Sequence, residues 1–318
     1  MEGLLSGANL GDIGVKFGRK FALTIKPAYK MTDGKYTPIS NEDEETIILG
    51  NPLTIDFDIR RDTLAESNTS TFRIYNLSED TRNKLYKDPY AVWIYRPIML
   101  QAGYNEPLPA VFIGNIKQAL SYKDEGSVNV ITEIQGFDFA FAMANAHSSW
   151  TINNPTTKKD VIARLIGDLK GYQVAEGYIG DFEGEYVRGY SVCGPTWEAL
   201  QKETSRNVFM DSGKVHCLKD NDCFEGDVTV ITSETGLLGS PKRADKVITA
   251  DIIFEPRLQI GQVVEIRSDF NKKMNGQYKV IGIKHSGTIS DAVAGKCKTT
   301  VQLFLGTQIL NILSGQAG

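Results

Sequence analysis

An internal repeat of three predicted strands constrains the fold more than any other feature of the chain. One set of strands lies near residues 98–136 and the other near 262–306, and their middle strands contain the similar sequences VFIGNIK and KVIGIK. The two sets are offset by 168 residues between Gly114 and Gly282, and by 170 residues between Gly136 and Gly306. Any two antiparallel sheets share alternation, so a chance likeness stays open as the alternative. A real repeat places two similar β-structures in one chain, and three chains then present six.

Alternating apolar and polar residues predict strands on both sides of a central region. Ile55, Phe57 and Ile59 alternate with charged residues, which is typical of a strand with one buried face. Further strands are predicted at residues 21–27, 69–75, 98–104, 110–120, 128–136, 247–254, 262–267, 278–285 and 298–305.

Short helices are predicted next to several of these strands. Ser78 can cap a helix that follows it, because its hydroxyl can accept from the free amides of the first turn. The apolar run 137–146 predicts a second short helix, and Pro195 opens another whose inner face includes Trp197 and Leu200. A buried helical stripe is formed by Val161, Ile162, Leu165, Ile166 and Leu169, and Gly171 is expected to end that helix.

Turn signals and composition divide the rest of the chain. Residues 29–45 are expected to form an exposed loop, Phe209–Leu218 a hairpin, and Asn275–Gly276 a tight turn. Residues 309–313 are expected to end the chain as a short apolar helix or tail. The predicted divisions are a flexible N-terminal arm (1–20), a first β-domain (21–146), an α/β insert (147–232), a second β-domain (233–308) and a C-terminal tail (309–318).

Charge and length exclude several classes of protein. The 318 residues have a net charge of −4, which disfavours a general nucleic-acid binder. Residues 1–145 and 146–233 each have a net charge of −4, whereas residues 234–318 have +4, an asymmetry that can orient self-association. Four scattered cysteines, the lack of a long apolar run and the lack of a signal-peptide pattern predict a soluble protein made in a reducing cytosol.

Candidate chemical sites are weak. His147 beside Ser148 lacks a nucleophile motif, and the carboxylates of Asp181, Glu183 and Glu185 are expected on one wet strand face. A zinc site from His216, Cys217 and Cys223, with distant Cys193, lacks the usual spacing, and Asp220, Asp222 and Asp227 depart from a calcium loop. The sequence therefore predicts no catalytic, metal or cofactor-binding residue, and no enzyme.

Several short motifs resemble those of phage tail proteins. The sequence FRIY (72–75) is followed directly by NLSEDTR (76–82). In the last third, TGLLGSP (235–241), FEPRL (254–258), GQVVEI (261–266) and NGQYKV (275–280) follow in order. Together they resemble the baseplate hub of contractile-tailed bacteriophages over residues 20–308.

The resemblance implies a fold that is mainly β with an α+β insert, in which two tail-tube-like antiparallel β-barrel or sandwich domains flank a small α/β domain. It implies a homotrimer that joins the hexameric tail tube to the trimeric central spike. The lumen would pass the tape-measure protein and then DNA, with no membrane insertion by this chain. The expected location is the virion tail baseplate, and the host cytoplasm during assembly.

Two alternatives stay open. One is a tail-associated cell-wall hydrolase, which would need a carboxylate or zinc constellation in the insert. The other is a carbohydrate-binding tail-tip protein, which would need exposed aromatic platforms, whereas Trp93, Trp150 and Trp197 are dispersed. Within the hub interpretation, the machine could be a phage, an R-type bacteriocin or a related secretion device, and the phage is favoured.

Overall fold

The computed structural model describes residues 18–32, 35–39, 45–64, 67–91, 94–224, 228–292, 295–304 and 311–313. Most of these residues lie in antiparallel β-structure, and the largest sheet contains 13 strands. Residues 1–17 of the predicted N-terminal arm lie outside the described residues. No helix in the described part of the chain is both long and apolar enough to cross a membrane.

The first β-unit comprises ten strands and two short helices. In chain order they are β1 (Lys20–Ile25), β2 (Tyr29–Thr32), β3 (Lys35–Pro38), β4 (Ile47–Gly50), β5 (Ile55–Asp62), β6 (Thr69–Tyr75), α1 (Glu79–Leu85), β7 (Ile94–Tyr95), β8 (Pro97–Gly103), β9 (Ala110–Lys123), β10 (Val130–Phe137) and α2 (Ala140–Asn145). The predicted alternation is confirmed in β5, where Ile55, Phe57 and Ile59 are buried while Asp58 and Arg60 are exposed. The buried face packs into the core of this unit.

Helix α1 begins as the sequence predicts. The hydroxyl of Ser78 accepts a hydrogen bond from the backbone N–H of Thr81 at 3.2 Å. Asn76 turns the chain out of β6 with a φ of 58°, and Leu77 is buried against the sheet. At the other end of the helix, Leu85 is fully buried, so α1 is attached to the sheet at both ends.

The expected exposed loop over residues 29–45 is wrong for its first part. Strands β2 and β3 form an antiparallel hairpin, and β7 pairs with the other edge of β2. Tyrosine and threonine in both strands favour extended backbone, and the sequence Asp-Gly at residues 33–34 is one that hairpin turns prefer. Those two residues and residues 40–44 lie outside the described residues.

The insert packs two helices against small sheets. Its elements are β11 (His147–Ile152), β12 (Thr156–Thr157), α3 (Lys158–Leu169), β13 (Ala175–Ile179), β14 (Glu185–Tyr186), β15 (Tyr190–Pro195), α4 (Thr196–Glu203), β16 (Val208–Asp211), β17 (Lys214–Cys217) and β18 (Asp222–Phe224). The whole predicted stripe of α3 is buried, as are Trp197 and Leu200 of α4. The β16–β17 hairpin is also confirmed, with positive φ at Ser212 and Gly213.

Helix α3 ends at Leu169 with Lys170 as its C-cap, so Gly171 follows the helix end as predicted, but it does not adopt the left-handed conformation. The chain continues through a 3₁₀ turn over Lys170–Tyr172, and Gln173 adopts the left-handed conformation with a φ of 61°. A side-chain amide tolerates this conformation less well than glycine, but the extra turn places Tyr172 and Val174 against the insert core. Pro195 precedes the first turn of α4 and is its N-cap.

The second β-unit contains the remaining strands. They are β19 (Thr229–Thr232), β20 (Leu237–Ala244), β21 (Val247–Ile253), β22 (Val263–Arg267), β23 (Gly276–Ile289) and β24 (Cys297–Phe304); a last strand, β25 (Asn311–Leu313), pairs in parallel with β18. Of the expected short apolar helix or tail, the helix is wrong for residues 311–313, because so short a segment cannot nucleate a helix, whereas β18 offers a backbone partner.

Asn275–Gly276 does not form a two-residue turn. Strands β22 and β23 are joined by residues 268–275, which include a 3₁₀ turn over Lys272–Met274. The side chain of Asn275 accepts from the backbone N–H of Ser268 at 2.7 Å, so this asparagine closes a longer loop.

The internal repeat is confirmed as a repeat of topology. The first unit has the strand order β5-β6-β10-β9-β8, and the second has the order β20-β21-β24-β23-β22. The predicted alignment of Gly114 with Gly282 is wrong by four residues. Pro97 pairs with Asn115 in the first unit, and Val263 pairs with Lys279 in the second, so β9 and β23 are offset by 164 residues. An extra residue on each long strand, Lys117 and Ile281, then falls at the same place.

Candidate functional site

The serine next to His147 is not part of a catalytic triad. Ser148 is buried; it donates to the carboxylate of Asp168, and its hydroxyl lies 2.9 Å from that of Thr196. His147 is exposed on β11 opposite Pro195. Adjacent residues of a strand point to opposite faces, which explains why the two side chains are separated.

The soft-ligand residues do not come together either. His216 and Cys217 face opposite sides of β17, and Cys217 lies in the insert core. His216 accepts from the backbone N–H of Tyr178 at 3.1 Å and stacks on Phe209. Burial raises the pKa of Cys217 to about 12, so its thiol stays protonated. Across the described residues, no group of three His, Cys, Asp or Glu side chains is placed to hold a metal ion.

The acidic residues of the insert are also dispersed. Asp222 is buried, and its carboxylate accepts from the backbone N–H of Lys219 at 3.3 Å, whereas Asp227 lies outside the described residues. The expected strand carrying Asp181, Glu183 and Glu185 is wrong over residues 181–184, which form a loop. Phe182 is buried in the insert core and so fixes the path of that loop.

Two carboxylates of the insert are surrounded by aromatic side chains. Asp168 accepts from the indole N–H of Trp150 at 2.8 Å, and Glu203 accepts from the hydroxyls of Tyr186 and Tyr190. The guanidinium of Arg164 lies 4.4 Å from the centroid of the Trp150 ring and covers one of its faces. These groups satisfy one another, an arrangement that stabilises the insert.

A strand pair joins the two β-units within the chain. Strand β5 of the first unit pairs antiparallel with β23 of the second, from Ile55 opposite Ile289 to Asp62 opposite Gly282. Lys284 and Asp58 form an ion pair of 2.8 Å across this joint. The two units therefore share one continuous sheet.

A buried polar cluster fastens the insert to this joint. Arg61 of β5 donates to the carbonyl of Leu258 at 2.8 Å and pairs with Asp211 at 3.4 Å. The amide of Asn68 donates to the carboxylates of both Asp138 and Asp211 at 3.3 Å. Burial and the neighbouring charge of Asp211 raise the pKa of Asp138 to about 7. No sequence motif marks these residues, because they meet only in the folded chain.

The edges of β20 and of part of β9 are among those that have no strand partner in the described part of the chain. Strand β20 ends the large sheet and pairs only with β21. Strand β9 pairs with β8 up to Asn115, and beyond that point on the same edge only an isolated bridge joins Ala119 to Lys87. Exposed edges of this kind favour pairing with another chain.

Comparison with known proteins identifies the family. The model of the family described as baseplate hub gp41 matches residues 37–291. The chain belongs to the baseplate hub gp41 family. No curated protein sequence matches this hub.

Solved structures support the fold of the hub. A tail protein from Neisseria meningitidis MC58 has a TM-score of 0.54 and 12% identity, covering 89% of this chain and 96% of that one. The 43 kDa tail protein of prophage MuSo2 from Shewanella oneidensis has a TM-score of 0.52 and 11% identity, with coverages of 81% and 94%. The E. coli c3393 protein, a component of the type VI secretion system, has a TM-score of 0.52 and 8% identity, with coverages of 83% and 77%. The predicted fold, with tail-protein-like antiparallel sheets, is thereby confirmed.

Proposed function

We propose that this hub is a structural ring of three chains that adapts a six-fold tail tube to a three-fold central spike. The observation that supports it most directly is the repeated strand order, which gives each chain two topologically equivalent β-units. Three chains then present six such units around one axis, while the inserts repeat only three times. One face of the ring can therefore match a hexamer and the other a trimer.

The proposal assigns partners and location. The hub binds the tail tube protein on one face and the spike protein on the other, and its lumen passes the tape-measure protein and then DNA. A net charge of −4 is consistent with DNA in transit rather than DNA held. The hub has no enzymatic role; it resides in the virion tail and is assembled in the host cytoplasm.

The test is the mass and symmetry of the hub with its neighbours. The purified hub is mixed with the tail tube and spike proteins of the same phage, its mass is measured by light scattering, and particles are imaged by negative stain. We expect a trimer whose ring shows six lobes. A chain that stays monomeric and joins neither neighbour would contradict the proposal. Zymography on cell walls and a glycan array test the hydrolase and carbohydrate alternatives.

A further inference from the structure

We propose that the free edge of β20 in one hub chain adds to the free edge of β9 in a second copy, so that the sheet continues from subunit to subunit. This inference rests on the proposed ring and names the surfaces that close it. It is argued from the joint between β5 and β23, which the chain already forms within itself.

The edges of β9 and β23 are equivalent. In the first unit, the strand partner of β9 ends where the N–H of Ile116 donates to the carbonyl of Arg96 at 2.9 Å. In the second unit, the partner of β23 ends where the N–H of Val280 donates to the carbonyl of Gln262 at 2.9 Å. On β23, the edge beyond this point is taken by β5. On β9, no strand within the described part of the chain takes the corresponding edge.

Lys87 covers only the beginning of that edge. Its ammonium donates to the carbonyls of Ile116 and Lys117, and its backbone exchanges two hydrogen bonds of 3.0 Å with Ala119. Beyond Ala119, the strand alternation directs the N–H and C=O groups of Ser121 and Lys123 away from β10. Both residues are exposed.

Strand β20 is the equivalent of β5. Strand β5 forms a hairpin with β6, and β6 pairs with β10. In the same way, β20 forms a hairpin with β21, and β21 pairs with β24. The register of β5 on β23 can be transferred to β20 of one chain and β9 of a second copy. In this register, Arg243 lies opposite Ser121. The backbone directions agree, because Ala244 closes the turn to β21 and its neighbour Arg243 therefore directs its N–H and C=O outward.

Charge and exposure fit this pairing. Lys242 and Arg243 are exposed on β20, and two exposed acidic residues, Asp124 and Glu125, follow the exposed Lys123 where β9 ends. A groove beside the β9 edge is lined by Arg82, Asn83, Tyr86, Ala119, Leu120, Ser121 and Thr132, which leaves apolar surface for an incoming hairpin to cover. The register of β20 shifts between Leu238 and Lys242, so pairing is confined to the end of the strand.

The decisive experiment is a disulfide across the inferred joint. The same register places Leu120 opposite Ala244 as a non-hydrogen-bonded pair, for which Cα atoms lie about 4.5 Å apart, within disulfide range. The full-length variant Leu120→Cys/Ala244→Cys is made in a Cys193→Ser background, because Cys193 is the exposed native cysteine. We expect covalent dimers and trimers on a non-reducing gel after mild oxidation of the assembled ring.

Matched variants test register and polarity. Tyr122→Cys/Ala244→Cys moves one cysteine by two residues on the same face and is expected to form less cross-link, because diagonal neighbours lie about 7–8 Å apart. A mixture of the single variants Leu120→Cys and Ala244→Cys should stop at dimers. Cross-linking of Ala244→Cys with itself would overturn the inference, because it would show two β20 edges meeting.

The outcome separates the two proposals. Trimers by light scattering without a cross-link in Leu120→Cys/Ala244→Cys would overturn the strand pairing and leave the ring intact. A monomer that also fails to join tube and spike proteins would contradict the ring itself.

Discussion

Asp138 lies in the buried cluster between the first β-unit and the insert, and its raised pKa predicts that this joint is sensitive to pH. It accepts from the backbone N–H of Gly213 at 3.0 Å and from the amide of Asn68, and it shares that amide with Asp211. Its pKa of about 7 means that the folded hub retains a proton that the unfolded chain releases near pH 4.

Asp138→Asn is expected to remove this dependence on pH. In the wild type, the carboxyl binds a proton more tightly in the folded than in the unfolded chain, so its contribution to stability falls as the pH rises from 4 to 7. The asparagine variant lacks this group. Its unfolding free energy minus that of the wild type should therefore rise over the same range. The slope for one proton is about 1.4 kcal/mol per pH unit. Urea unfolding at several pH values measures it, and the difference cancels the opposite contributions of His216 and His285, whose pKa values desolvation lowers.

A difference between variant and wild type that stays constant over this pH range would contradict the pKa assigned to Asp138. Asp58→Asn is a suitable control, because Asp58 is exposed on β5 and pairs only at the surface with Lys284.

Arg61→Met should be one of the most destabilising substitutions in the hub. It leaves the largely buried carboxylate of Asp211 without its cation, and breaking a buried pair costs about 3–5 kcal/mol. Adding Asp211→Asn should recover part of that loss. Chemical unfolding gives both values, and Lys284→Met, which breaks an exposed pair with Asp58, should cost no more than about 1 kcal/mol. Equal losses in Arg61→Met and Lys284→Met would show that the buried pair is unimportant.

At the scale of elements, the sequence predicts the strands and helices in which apolar residues recur at the regular spacing of that element. The alternation of Ile55, Phe57 and Ile59, and the stripe of α3, are read directly because each buries one face. Strand β20 has no such alternation: most of its residues are exposed, and it contains Gly239 and Pro241. It is a strand because β21 pairs with it, which no local pattern reveals.

The corner before β22 gives a prediction for a single glycine. Gly261 has a φ of 90°, and a Cβ there would lie 2.7 Å from the ring of Phe224, which is itself packed between Tyr178 and His216. Gly261→Ala should lower the free energy of unfolding by about 1–2 kcal/mol, because alanine disfavours the left-handed backbone. The overlap of its Cβ with Phe224 should lower it by about 1–3 kcal/mol more. Thermal or urea unfolding measures the loss.

Gly126→Ala is the matched control. Gly126 also has a positive φ, of 76°, but no atom lies within 4 Å of a Cβ at that position. Its substitution should carry only the backbone cost. If both alanine variants lost the same free energy, packing at the Gly261 corner would not matter.

At the scale of the whole molecule, the repeat could be predicted but its alignment could not. The glycines of VFIGNIK and KVIGIK invite an offset of 168, whereas the strand pairing gives 164. A residue pattern of period two matches itself at every even shift, so sequence alone cannot choose among such offsets. The buried cluster of Arg61, Asp138 and Asp211 could not be predicted from the sequence either, because its members lie far apart in the chain.

The opposite charges of the two β-units predict how hub chains associate. Residues 234–318 have a net charge of +4 and residues 1–145 a net charge of −4, and the inferred joint places one against the other. Association should therefore slow as salt rises, because moving from about 0.01 M to about 1 M ionic strength shortens the Debye length from about 30 Å to about 3 Å. Lys242→Glu/Arg243→Glu should slow association at low salt and flatten its salt dependence. Lys202→Glu, an exposed reversal on α4 of the insert, should leave both unchanged. Stopped-flow light scattering of diluted chains measures the rate, and a rate that does not depend on salt would exclude electrostatic steering between the units.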